Sequence, residues 1–192
     1  MSTTAFIADD AWDDVLETAA RAAAAAVDAV GAAIVIVDGD LDHFLAHVGI
    51  DPGLEISRAL HKDLGYVRLV MQAGDTVVVV DSALDARLRP ELFELMGIRA
   101  FVGVPLRVDG IVVGALGAFD RRPRTLEATA LLPIAARIEQ RLVQRAVEVD
   151  SAMPGAVARR PAMRLLQAVQ AGAVPFDVFL RALRLLPPVT VI

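Results

Sequence analysis

The apolar pattern predicts an α+β domain in which helices pack on a central antiparallel sheet. Three observations carry this. Residues at both ends of the first 150 repeat apolar side chains every three and four positions, as amphipathic helices do. Between them, β-branched runs come in pairs joined by Asp-Gly turns, at Asp38-Gly39-Asp40 and Asp109-Gly110. Hydrophobic residues make up 56% of the 192 and charged residues 22%, enough to bury a large core.

In chain order, residues 9–30 read as a helix, with Trp12, Leu16, Ala19, Ala23, Val27 and Val30 on one stripe and Gly31 as its stop. Residues 33–37 and 41–50 read as two strands. A helix capped by Ser57 follows, with Leu60, Leu64, Val67 and Met71 aligned and Gly74 beyond its end. Residues 77–80 read as a buried strand, and Pro90 opens a short helix that Gly97 closes. Two strands then flank Asp109-Gly110. Thr125 is placed to cap a long helix facing Leu131, Ile134, Ile138 and Leu142 inward, with a kink at Pro133. The domain is bounded at 1–150. Residues 151–192 read as a linker and a short amphipathic helical tail, with Phe176, Phe179, Leu180, Leu183 and Leu186 on one face and Val189 to Ile192 suited to a sheet edge.

Composition removes several chemistries. The chain has no cysteine, which excludes disulfides, zinc-thiolate sites, iron–sulfur ligation and thiol catalysis. The apolar window at 19–38 is broken by Arg21, Asp28 and Gly31 and preceded by acids, so neither a signal peptide nor a membrane span is expected. A cytoplasmic protein is expected. The net charge of −5 is uneven: residues 1–55 hold eleven acids and one arginine, residues 121–192 five acids and eleven arginines. Arginines spread along amphipathic helices are usually a solvated or salt-bridged face, so nucleic acid is not the expected partner.

The motifs "FLAHVGI", "GDTVVVVDSALDARL", "LMGIRAFVGVPLRVDGIVVGALGAFDRRPRTL" and "LLPIAARI", in this order, resemble the GAF domain family over about residues 9–146. The resemblance implies a sheet with the terminal helices on one face and, on the other, a ligand pocket roofed by the Ser57 and Pro90 helices. It also implies a sensory or regulatory module, dimeric through its terminal helices. Family members that reduce methionine sulfoxide or carry a bilin use cysteines, which this chain lacks. The cyclic-nucleotide motif of the family is not apparent either.

The residues expected in such a pocket are Phe44, His61, Arg68, Asp81, Phe93, Met96, Arg99, Phe101 and Phe119. Arg68 and Arg99 have the geometry for a carboxylate or phosphate. His61 is the one histidine offered for heme. His43 and His47, four apart on a strand, are separated by about 13 Å and do not share a metal. Ser57 is a helix cap and Ser82 has no histidine near it, so no nucleophile stands out. Gly103, Gly114 and Gly117 fall inside strands and mark a close approach by a ligand or, more commonly, a packed helix.

The function expected is a non-catalytic GAF-like module that binds a small ligand, a protein partner or both, and signals through a homodimer interface. No cofactor or metal is predicted. The alternatives are an interaction or scaffold subunit with a filled pocket, and a heme- or anion-binding sensor.

Overall fold

The computed structural model describes residues 10–38, 41–50, 59–61 and 66–152. The chain enters through α1 (Asp10–Ala26), then forms β1 (Gly31–Asp38), β2 (Leu41–Val48) and β3 (Ala59–His61). It continues through α2 (Val67–Ala73), β4 (Val77–Val79), α3 (Pro90–Leu95), β5 (Ala100–Val108), β6 (Ile111–Asp120) and α4 (Leu132–Ala152). The strands make one antiparallel sheet in the order β3-β2-β1-β6-β5-β4.

Two cores share the sheet. On one face Ala32, Ile34, Ile36, Val102, Val104, Leu106, Leu116 and Ala118 pack against Leu16, Ala20 and Ala23 of α1 and Leu131, Ala135 and Ile138 at α4. The alanines of α1 carry little side chain, which lets the helix sit close to the strands. On the other face Ala33, Val35, Val37, Phe101, Ala115 and Phe119 meet Tyr66, Val67 and Val70 at α2 and Phe93 of α3. The expected division, with terminal helices on one side and shorter helices on the other, is the one observed.

Several local expectations are corrected. The helix expected from Ser57 through Leu60 and His61 does not hold: residues 59–61 are strand β3, paired with β2, and the helix begins at Val67. α1 ends earlier than Val30. The N–H of Ala29 donates to Ala24 and that of Asp28 to Ala25, with Asp28 at φ 51, so an aspartate holds the left-handed closing position and Gly31 lies in β1. Residues 128–130 form a single 3-10 turn, so Thr125 caps nothing and Pro133 sits in the first turn of α4, where it causes no kink. α4 continues to Ala152, two residues past the expected domain boundary. The strand expected to be buried, β4, is an edge strand whose Val78 is 36% exposed. The tail after 152, including both amphipathic pieces and Val189 to Ile192, lies outside the described residues.

Candidate functional site

The face under α2 is where the residues expected in a pocket gather. Its geometry begins with an irregularity in β2. Ile34 pairs with Ala46 and the next residue, Val35, with Phe44, so Leu45 is an extra residue, a β-bulge. The bulge resets the alternation of side chains. Leu45 and Ala46 both pack on the α1 side, while Phe44 and His47, three apart, reach the α2 side together, ring centroids 6.2 Å apart and edge to face. His43 falls in register with Ile36 and His47 with Ala33, residues of opposite faces of β1. Among the described residues no group of three His, Asp or Glu could hold a metal ion.

Asp42 enters the same face in register with Val37 and is fully buried. Arg68 of α2 donates from Nε to Asp42 Oδ1 at 3.1 Å. Next to this pair, the residue before α2, Tyr66, lays its ring on Phe101, with centroids 4.3 Å apart. The same ring passes over Gly117: a Cβ there would meet it at 2.6 Å. At Gly103 a Cβ would meet the rim of Phe101 at 2.5 Å and Val70 at 2.7 Å. At Gly103 and Gly117 the close approach is therefore made by side chains, and at Gly114 by the backbone of β1 at Val35 and Ile36; the glycines are needed to leave them room. Phe119 and Phe93 complete the layer, each 3% exposed.

The Tyr66 hydroxyl is buried and makes no hydrogen bond with the described residues. Burial, with the nearby Asp42 charge added, pushes its ionisation well above the ordinary tyrosine range, so it is held as a neutral donor.

The remaining expected site residues divide. Phe44 and Met96 pack at the rim of this core, and Phe93, Phe101 and Phe119 within it. Asp81 and Arg99, both named as ligand contacts, are paired with each other: Arg99 Nε and Nη2 reach the two oxygens of Asp81 at 3.0 and 2.9 Å. His61 belongs to β3, at the far edge of the sheet from β4. Asp42, Tyr66 and His47 were missed as members of the cluster. Asp42 carried a signal, a carboxylate inside an apolar strand, whereas His47 depends on a bulge that has no sequence mark.

The GAF domain model matches residues 11–142. The chain belongs to the GAF family. Its fold neighbours fit that membership. A domain of a two-component sensor histidine kinase protein from Sinorhizobium meliloti aligns at TM-score 0.62 and 18% identity, covering 76% of this chain and 100% of that one. The GAF domain of an Acinetobacter phosphoenolpyruvate-protein phosphotransferase gives 0.59 and 21%, covering 73% and 86%. The free methionine-R-sulfoxide reductase of Neisseria meningitidis, solved with its substrate, gives 0.56 and 21%, covering 68% and 77%. At such identities the likeness is one of fold. No curated protein matches the sequence. GAF domains are sensory and regulatory modules, and this GAF chain shares their architecture. Among the described residues no helix is long and apolar enough to cross a membrane.

Proposed function

We propose that this GAF protein is a non-catalytic, cytoplasmic regulatory subunit that works as a homodimer and acts on a partner protein, with the space between sheet and α2 filled by its own side chains. The observation that carries the reading is the position of Tyr66, stacked on Phe101 and laid across Gly117 so that its ring covers the sheet beneath α2. A signal then has to pass through surfaces. The terminal helices suit a dimer. Val15, Ala22 and Ala26 of α1 are exposed on one flank, and Leu132, Ala136 and Val143 of α4 are exposed likewise. Asp14 on the first and Arg137 on the second supply opposite charge.

One observation favours a second reading, a small ligand on the α2 face. A buried hydroxyl without a partner costs about 1–3 kcal/mol, and a ligand offering an acceptor to Tyr66 would remove that cost. Native mass spectrometry of the protein purified from its own host separates the two. A dimer of bare chain mass supports the filled module. A retained small molecule lost in Tyr66→Phe supports the second reading, and a monomer overturns the dimer.

A further inference from the structure

We propose that the open edge at β4 is a docking surface for an acidic segment of a partner protein that carries apolar anchors. β4 closes one side of the sheet. Val77 and Val79 turn into the core, while Val78 and Val80 are 36% and 49% exposed and Leu84, in the turn that follows, is 84% exposed. All three expose apolar surface at or just beyond an edge strand, where an added segment would bury it.

The charge around these residues is positive. Backbone bonds bring the surrounding segments together: Arg124 N–H donates to Val80 O at 3.0 Å, Ser82 N–H to Arg99 O at 2.7 Å, and Arg99 N–H to Asp120 O at 2.8 Å. Arg99 is answered by Asp81, Arg124 by Asp120, and Arg87, beyond Leu84, by Asp85. Arg121 and Arg122 lie between Asp120 and Arg124, are exposed, and have no carboxylate of the described residues paired with their guanidinium groups. On a chain of net charge −5 they make a local site for negative charge.

The charges also decide the occupant. The chain's own residues 153–192 hold five arginines against one aspartate, and so bring like charge. Two copies meeting face to face through this edge would set Arg121 and Arg122 against their own counterparts. The acidic beginning of α1 is at the wrong end. Arg124 holds the last turn of α1, through Val27 O, and the 17-residue helix puts its beginning about 25 Å away. A nucleic acid backbone would use the arginines and leave Leu84 unused. An acidic peptide with apolar residues uses both. An edge strand can take up an extended segment, and Arg87 Nη2 makes only a long 3.3 Å contact to Val78 O that an incoming N–H can replace.

The test is fluorescence anisotropy of a labelled peptide alternating glutamate with valine, titrated with the full chain. A twin with lysine for glutamate and a single-stranded DNA of equal charge are the controls. The acidic peptide is expected to bind, more weakly as salt rises, and Leu84→Asp and the double variant Arg121→Glu/Arg122→Glu should each weaken it about tenfold, near 1.4 kcal/mol. Both variants change exposed side chains, and unchanged thermal unfolding shows that they remain folded. Equal binding of the lysine twin or the DNA, no binding of the acidic peptide, indifference to both variants, or self-association abolished by Leu84→Asp overturns the proposal. The dimer reading stands or falls separately, because its helices lie on other elements.

Discussion

Tyr66 is the sole tyrosine of the chain, so its ionisation can be followed without interference from a second phenol. Folding holds the hydroxyl neutral, while the unfolded chain ionises near pH 10. A folded pKa above the unfolded one means that its contribution is complete below about pH 10 and is lost as pH rises further, by up to about 1.4 kcal/mol per pH unit. Near-ultraviolet titration should therefore show tyrosinate appearing only together with unfolding, whereas in denaturant it appears near pH 10. Tyr66→Phe should lack this alkaline loss. At neutral pH it should gain about 1 kcal/mol in urea unfolding by removing an unsatisfied hydroxyl, and a loss of stability would instead mean that the hydroxyl has a partner. Gly117→Ala tests the same contact from beneath. Its methyl group would stand 2.6 Å from the tyrosine ring, so a cost of about 1–3 kcal/mol is expected, and tolerance would mean that the ring moves easily.

The elements show where local signals suffice and where they fail. Asp109 and Gly110 adopt φ 49 and 80, so the hairpin turn was readable from two residues, because few pairs accept positive φ. The end of α1 was not readable. Aspartate at the closing position is tolerated in part because Arg124, from the other end of the domain, caps the helix. Its Nη2 donates to Val27 O at 2.6 Å and its Nη1 to Asp28 O at 3.1 Å, while Asp120 holds the guanidinium at 3.2 Å. Arg124→Ala should lower stability by about 2–3 kcal/mol, since it strips the helix end and leaves the buried Asp120 carboxylate without its cation. A urea midpoint unchanged in that variant would show the cap to be idle. β3 failed for a related reason: His61 pairs with Leu41, a partner twenty residues away, and apolar spacing at three and four residues describes a helix that this pairing overrides.

Over the whole molecule, the face carrying α1 and α4 and the edge at β4 present different chemistry. The first joins apolar flanks with opposite charges, the second an apolar point among arginines. Light scattering should give a dimer that Val143→Asp weakens about tenfold and Leu84→Asp leaves intact. Loss of the dimer in the second variant, or none in the first, would place the interface elsewhere. The uneven charge along the chain was legible at once, but its use was not. Arginines that look alike in sequence separate only in space: Arg99 and Arg124 are spent on Asp81 and Asp120, and Arg121 and Arg122 are left to solvent.

By itself the sequence determined the family and the order of most strands and helices, because turn chemistry and apolar periodicity are local properties. The tertiary structure alone decided what lies over the strand glycines and which arginine meets which aspartate. It also decided that Phe44 and His47 share a face. Those outcomes depend on a bulge and on pairings between residues 18 to 97 apart in the chain, and no window of sequence holds both partners at once.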